Sequence, residues 1–290
     1  MERYDIAIIG SGPAGVSAAI TAKVRNKKII MFGSDRLSEK IQKAHQILNY
    51  PGLPEVSGQE LAEEYHNHLD AMGIEITTEQ VVTVYSMGEY FAVQTLSGNM
   101  YEAKTVILAM GLSQTKPLEN EDELLGRGVS YCATCDAQFY RGKKVIVAGY
   151  QEEAEEEARY LEEIAGEVIY FPVYKGEPEL PESIKIIKET PVSILGDFVA
   201  NGIRTKEGNE YEADGIFILR ESVSPKNLVP GLKMDGNHVE VNLQMETNLK
   251  GCYACGDLAG KPYQYIKSAG QGNVAALSAV AYLSQKINDN

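Results

Sequence analysis

Six residues near the start limit what this chain can fold into: Gly10-Ser11-Gly12-Pro13-Ala14-Gly15. An apolar stretch, Tyr4–Ile9, leads into them. A run of small residues with helical character, Val16–Lys23, follows, and then a second apolar stretch, Ile29–Phe32. The G-x-G-x-x-G spacing carries little information alone, but between a strand and a helix it describes a βαβ dinucleotide cradle. Gly10 permits the tight turn. Gly12 lets the backbone approach a pyrophosphate, and Gly15 lets helix and strand pack closely. The helix N-terminus supplies the anion site.

A second βαβ pattern starts at Lys143, with a strand at Lys144–Ala148, a helix at Glu152–Glu163 and a strand at Val168–Phe171. Near the C-terminus the chain returns to a strand (Gly251–Cys255), the pair Gly256-Asp257 and a long apolar helix from about Ser268 to Lys286. The expected fold class is therefore α/β, with two nucleotide-binding, Rossmann-like domains and the second inserted in the first. The boundaries expected are 1–113 plus 241–290 for the first domain and 114–240 for the insert. A length of 290 residues suits two domains. No solenoid repeat or low-complexity tract is evident.

The formal charge is −14. The insert carries most of it, with 14 Lys/Arg against 25 Asp/Glu. An acidic chain is repelled by phosphate backbones, so nucleic acid is not an expected partner. No apolar run approaches the ~18 residues of a membrane span. Met1–Asp5 leads directly into a strand without a secretory signal, so a cytoplasmic location is expected.

Four cysteines fall in two Cys-x-x-Cys pairs, Cys132/Cys135 and Cys252/Cys255. Thiols so spaced form a disulfide where they open a helix, and the helix N-terminus favours the thiolate. Asp136, beside the first pair, is placed to hand a proton to a departing thiolate. Two such pairs also suit a zinc site with four cysteine ligands. However, Gly251–Gly256 reads as a strand, on which residues i and i+3 point to opposite faces. Cys252 and Cys255 are accordingly expected as small buried apolar residues, and no metal is expected.

With these residues in view, the chain resembles the flavin-dependent thioredoxin reductases of low molecular weight over nearly its whole length. The likeness rests on Gly10–Gly15, Asn49-Tyr50-Pro51-Gly52, Ala109-Met110-Gly111 and Gly126–Asp136, which contains Cys132-Ala133-Thr134-Cys135-Asp136. It continues through Thr247–Asp257, Tyr263-Gln264 and Ser268–Gly272. The resemblance implies FAD as cofactor and a homodimer. It implies flavin contacts at Gly10, Ser11, Gly12, Pro13, Ala14, Gly15, Asn49, Gly111, Asp257, Gln264 and Tyr265. It also implies that Cys135 faces the flavin, that Cys132 attacks the protein substrate and that Asp136 is the proton donor. The flavin loop departs from the family at Ser38-Glu39-Lys40-Ile41, so Lys40 and Gln42 are expected contacts on altered terms, with His45 nearby. Asp35 is the acidic residue within reach of the adenosine ribose.

The second nucleotide motif is damaged. It reads Ala148-Gly149-Tyr150-Gln151-Glu152-Glu153-Ala154, and only Gly149 and Ala154 match the family's G-x-G-x-x-A. Gln151 stands where the backbone must approach a pyrophosphate. Glu152, Glu153, Glu155, Glu156 and Glu157 would face it, and a like-charge pair 4 Å apart costs about 4 kcal/mol at an effective dielectric of ~20. The basic pair that holds the NADPH 2′-phosphate is reduced to Lys175. NADPH is therefore not expected to bind.

These losses resemble the ferredoxin-dependent flavin thioredoxin reductases, which imply ferredoxin as electron donor and thioredoxin as substrate. The energetics allow it. Plant-type ferredoxin lies near about −400 mV and thioredoxin near about −270 mV, so two electrons fall by about 6 kcal/mol. An acidic ferredoxin would need a basic patch, for which Lys23, Arg25, Lys27, Lys28, Lys40 and Lys43 are candidates. Leu112–Pro117 and His238–Thr247 are the expected interdomain hinges. The competing functions are an NADPH-dependent thioredoxin reductase, a flavin dithiol oxidase using oxygen, and a flavin-binding sensor or zinc scaffold without turnover.

Overall fold

The first apolar stretch forms β1 (Tyr4–Ile9) in the computed structural model, which describes residues 3–42, 44–112, 116–220 and 224–288. Ile6, Ala7 and Ile8 have no exposed surface, as befits a central parallel strand covered on both faces. Helix α1 (Pro13–Val24) begins with proline at its first position and buries Ala14, Gly15, Val16, Ala18, Ala19 and Ala22. Such small side chains let a second helix lie close against it. Strand β2 (Ile29–Phe32) and the short helix α2 (Glu39–Gln42) follow.

Helix α3 (Gly58–Ala71) starts at a capping box. The Glu60 N–H donates to Ser57 Oγ at 3.2 Å and the Ser57 N–H to Glu60 Oε2 at 2.7 Å. These two bonds satisfy amides that the helix itself leaves orphaned. Strands β3 (Ile76–Thr77), β4 (Val81–Ser86), β5 (Phe91–Thr95) and β6 (Met100–Leu108) complete this part. The sheet order is β3-β2-β1-β6-β5-β4, parallel through β6 and antiparallel beyond it.

The chain then enters a second compact unit. It holds α4 (Glu121–Leu124), β7 (Val129–Ser130), α5 (Ala133–Asp136), β8 (Lys144–Gly149), α6 (Ala154–Glu162) and β9 (Glu167–Pro172). Strands β10 (Lys185–Ile186), β11 (Pro191–Leu195), β12 (Gly202–Thr205), β13 (Glu210–Glu212) and β14 (Gly215–Leu219) follow. Its parallel sheet has the order β10-β9-β8-β14-β7, with an antiparallel β11-β12-β13 sheet beside it.

After this the chain rejoins the first unit through α7 (Pro225–Leu228), the pair β15 (Met234–Asp235) and β16 (His238–Val239), β17 (Cys252–Ala254) and α8 (Tyr265–Asn288). β17 pairs in parallel with the C-terminal half of β6, and α8 packs on α1.

By contacts the first unit is Met1–Thr95, Asn99–Leu112 and Ser224–Asn290, and the second is Leu96–Gly98 and Ser113–Val223. The return therefore falls at Ser224, ahead of the expected 241, because α7 packs on β4 and His238 Nε2 lies 2.8 Å from Tyr263 Oη. His238–Thr247 accordingly lies inside the first unit and is not a crossing. Of the expected hinge Leu112–Pro117, Ser113–Thr115 lie outside the described residues, as do Glu221–Val223 at the return.

The two units share a device that spans strands. In the first, Glu79 accepts from Thr95 Oγ1 (2.6 Å), Asn99 Nδ2 (3.0 Å) and Tyr101 Oη (2.6 Å). In the second, Glu189 accepts from Thr205 Oγ1 (2.7 Å), Asn209 Nδ2 (3.0 Å) and Tyr211 Oη (2.9 Å). Each tyrosine also meets a strand phenylalanine edge-on, Tyr101 with Phe32 and Tyr211 with Phe171, both at 5.3 Å. The shared pattern Thr-x-x-Gly-Asn-x-Tyr at 95–101 and 205–211 is visible in the sequence once the hairpins are known.

Candidate functional site: a redox disulfide and a nucleotide cradle

The redox turn stands on β7. Cys132 and Cys135 are joined by a disulfide. Cys132 is the N-cap of α5, and the Cys135 N–H donates to its Sγ at 3.1 Å. Charge appearing on the Cys132 sulfur when the disulfide opens thus meets a backbone donor. Cys132 is buried and Cys135 half-buried. Ser130, buried on β7, donates from Oγ to Asp136 Oδ2 at 2.6 Å and accepts from the Cys132 N–H at 3.1 Å. Phe139, just past the turn, is 72 % exposed. Glu157 of α6 accepts a backbone hydrogen bond from Thr134, within the turn. Burial holds its carboxyl above the ordinary glutamate range, against the lowering effect of that bond. Sequence reasoning singles out neither Ser130 nor Phe139 as functional, and reads Glu157 only as part of an acidic run.

The cradle of the first unit has the geometry its glycines imply. Gly10 has φ +113°, and a Cβ there would lie 2.5 Å from the Ala109 carbonyl. A Cβ on Gly15 would lie 1.8 Å from the Gly10 oxygen. At Gly12 the nearest neighbour of a Cβ is Ser38 at 3.9 Å, so the backbone is open to a ligand. Gly12 is the N-cap of α1 and provides no side-chain cap, so the amides of the first turn are left for an anion. A Cβ on Gly256 would lie 3.0 Å from that of Ala14, which brings Gly256-Asp257 against the same helix start as Pro13 and Ala14.

Around Asp257, Lys40 Nζ lies 3.4 Å from Oδ2 and Ser268 Oγ donates to Oδ1 at 3.4 Å. Tyr265 Oη donates to the Lys40 carbonyl at 2.9 Å. Burial, then the nearby Asp257 charge, raises the Tyr265 pKa. Asn49 Nδ2 donates to Gln264 Oε1 at 2.7 Å. Gly111 has φ +70° and open space where a Cβ would be. The structure thus groups Lys40 with Asp257 and Tyr265, and Asn49 with Gln264.

Three other expected contacts take no part in the bonds just described. Ser11 Oγ is engaged with the Ser34 carbonyl and N–H, both at 3.0 Å, so its side chain secures the chain after β2. Gln42 donates to the Arg36 carbonyl at 2.6 Å, and Asp35 is exposed in the same loop. Two neighbours of Gly256 are not among the expected contacts, although Gln271 falls within the matching stretch Ser268–Gly272. Lys267 Nζ donates to the Gly256 and Gly260 carbonyls at 2.8 and 2.6 Å, and Gln271 accepts from the Gly256 N–H at 3.0 Å.

Of the basic residues, Lys23 to Lys28 lie at the far end of α1 from Gly12, about 18 Å along twelve residues at ~1.5 Å each. Lys43 lies outside the described residues. Cys252 and Cys255 are buried free thiols, and burial pushes both pKa values up to about 12. They behave as small core residues.

In the second unit the corresponding turn and helix start are engaged by the chain's own side chains. A Cβ on Gly149 would lie 2.1 Å from Tyr170 Oη. The Arg220 guanidinium lies over the Tyr150 ring, 4.4 Å from its centroid. Helix α6 begins at Ala154 and not at Glu152, because Gln151–Glu153 form a turn. Glu155, buried in its first turn, accepts from Tyr174 Oη (2.5 Å), Arg159 Nη2 (3.2 Å) and the Glu179 N–H (3.1 Å). The segment after β9 is thereby tied across the helix start, and Lys175 is exposed.

Residues 4–170 match the family model described as pyridine nucleotide-disulphide oxidoreductase. The chain is 56 % identical to a ferredoxin-flavin thioredoxin reductase of Clostridium acetobutylicum, with full coverage of both chains and a TM-score of 0.88. It is 28 % identical to an atypical thioredoxin reductase of Desulfovibrio vulgaris Hildenborough, covering 98 % of this chain and 99 % of that one, with a TM-score of 0.72. It is 32 % identical to a thioredoxin reductase of Aquifex aeolicus, covering 98 % of this chain and 94 % of the relative. Among the described residues no helix is long and apolar enough to cross a membrane.

Proposed function

The chain belongs to the pyridine nucleotide-disulphide oxidoreductase family, in its thioredoxin reductase branch, and from that premise we propose that it is a ferredoxin-dependent flavoprotein that reduces the disulfide of thioredoxin. The observation that carries this reading is the Cys132–Cys135 disulfide, set at the start of α5 in a unit whose damaged nucleotide motif has its helix start engaged by Glu155 with Tyr174 and its turn residue Tyr150 under Arg220. These contacts, with the damaged motif, favour a donor other than NADPH.

FAD would be held in the first unit by the amides that follow Gly12, with Asp257, Lys40, Asn49, Gln264, Tyr265 and Gly111 around it. When bound, it supplies the exchange between one-electron donors and a two-electron disulfide. The second unit carries the redox pair. Two electrons, one from each of two reduced ferredoxins, and two protons leave the thioredoxin disulfide as a dithiol.

The chain's residues divide that work. In the dithiol form, the Cys135 amide supports negative charge on Cys132. Cys132 attacks the thioredoxin disulfide, forming one S–S bond as another breaks, and the departing thioredoxin sulfur takes up a proton. Cys135 gives up its proton and attacks Cys132, which restores the Cys132–Cys135 disulfide and releases dithiol thioredoxin. Asp136 carries the protons of both exchanges. Phe139 offers thioredoxin an apolar contact beside the pair. The active form is a homodimer, as the family resemblance implies.

Anaerobic absorbance of the flavin-loaded protein tests this. Reduced ferredoxin is expected to bleach the flavin, NADPH to leave it yellow, and oxidised thioredoxin to restore the colour after bleaching. Fast bleaching by NADPH would overturn the reading of the second unit. Failure of ferredoxin, together with oxygen uptake on a small dithiol, would favour a dithiol oxidase.

A further inference from the structure

We infer that Ser130 is a positioning residue, which holds the Asp136 carboxyl and the Cys132 amide in register for proton transfer at the redox turn. This rests on the proton-carrying part assigned above to Asp136.

A serine hydroxyl has one proton to give and two lone pairs. Two acceptors lie near Ser130 Oγ, Asp136 Oδ2 at 2.6 Å and the Cys132 carbonyl at 3.2 Å. The shorter contact has the length of a charge-assisted O–H···O⁻ bond, so the proton points at Asp136. A lone pair is then available to the Cys132 N–H at 3.1 Å. The hydroxyl thereby joins the acid to the backbone of the nucleophile in one chain of bonds.

It also distinguishes the two carboxyl oxygens. Oδ2 is held by Ser130, which leaves Oδ1 to pass protons to and from the cysteines. The support is rigid. Ser130 is 4 % exposed on β7, opposite Phe217 of β14 in the parallel sheet, so the hydroxyl has a fixed origin. The Asp136 N–H donates to the Cys132 carbonyl at 3.2 Å, closing the turn from its other side.

Each exchange step moves one proton as one S–S bond forms and another breaks. A carboxyl that rotates freely delivers it from the wrong place, since misplacing a reacting group by about 1 Å costs up to ~10²-fold. A merely structural serine would be satisfied by backbone groups alone.

The experiment is single-turnover reduction of thioredoxin by holoenzyme reduced beforehand with dithionite, followed from pH 5 to 9. The variants are Ser130→Ala, Ser130→Thr, Asp136→Asn and the Ser130→Ala/Asp136→Asn double. Ser130→Ala is expected to slow exchange about tenfold and change the shape of the pH profile, with the thioredoxin concentration that gives half the maximal single-turnover rate unchanged. Ser130→Thr, which keeps the hydroxyl, recovers most of the rate. Asp136→Asn loses ~10²–10⁴-fold, the usual range for general acid–base catalysis. The double variant is then no slower than Asp136→Asn, because Ser130 acts through Asp136. Additive losses, or an unchanged pH profile in Ser130→Ala, would overturn the inference and leave the role of Asp136 standing. A harmless Asp136→Asn would instead remove the proton assignment itself. If Ser130→Ala loses its flavin or its fold, the Thr variant decides: a wild-type profile supports the inference, and a profile like that of Asp136→Asn opposes it.

Discussion

Arg220→Met is the substitution whose effect the structure predicts most sharply. Arg220 and Glu121 form an ion pair at 2.5 Å, with side chains 10 % and 1 % exposed. Glu121 also accepts from Tyr131 Oη at 2.8 Å and from the Leu118 N–H at 2.7 Å. Burial and then the Glu121 charge raise the Tyr131 pKa, while Arg220 opposes that rise. Removing the guanidinium leaves a buried carboxylate with two neutral donors, and breaking a buried pair this way costs about 3–5 kcal/mol. The second unit spans roughly 110 residues, so its unfolding entropy is ~0.23 kcal/mol/K, and a loss of 3 kcal/mol lowers its Tm by about 13 °C.

Far-UV circular dichroism on heating and urea titration of the holoenzyme measure the loss, while flavin release reports on the first unit separately. Arg220→Met/Glu121→Leu should recover part of the stability, since two apolar groups leave no buried charge. A cost below ~1 kcal/mol in the single variant, the range of exposed pairs, would refute this account of the cluster. Tyr131 leads directly into Cys132, so the same variant should also slow thioredoxin reduction.

Three further outcomes are expected. Cys135→Ser should trap a mixed disulfide between Cys132 and thioredoxin, visible by non-reducing electrophoresis and mass spectrometry, whereas Cys132→Ser should trap none. Phe139→Ala should raise KM for thioredoxin by about tenfold or more, as expected from ~1.5–3 kcal/mol of lost apolar burial, and leave small aromatic disulfides unaffected. The Glu157 carboxyl is held above its ordinary value of 4.5 by burial. Its contribution to stability is therefore fully present below pH 4.5 and lost as pH rises through the folded value. Glu157→Gln should flatten that decline in a series of Tm measurements, and an unchanged slope would count against a buried acid at the redox turn.

Much of the protein is legible without coordinates, for a local reason. Gly10, Gly12 and Gly15 act within six residues, where backbone sterics decide the turn. Cys132, Cys135 and Asp136 act within five residues at a helix start. The damaged motif at Gly149–Ala154 is likewise local, and so is the burial of Cys252 on a short strand and of Cys255 directly after it. Other features depend on partners far apart in the chain. Glu121 and Arg220 are separated by 99 residues, and Lys40 and Asp257 by 217. Glu155 ties Tyr174 and Glu179 to the start of α6, after β9 has brought them back to it. No periodicity marks such pairs, and one-dimensional reading places the return at 241 because the irregular stretch after Ser224 carries no strand or helix pattern strong enough to assign. The Ser130–Asp136 bond lies between these cases. Its two residues are near neighbours, but only the bend from β7 into α5 turns the hydroxyl towards the carboxyl, and that bend is a property of the packed sheet.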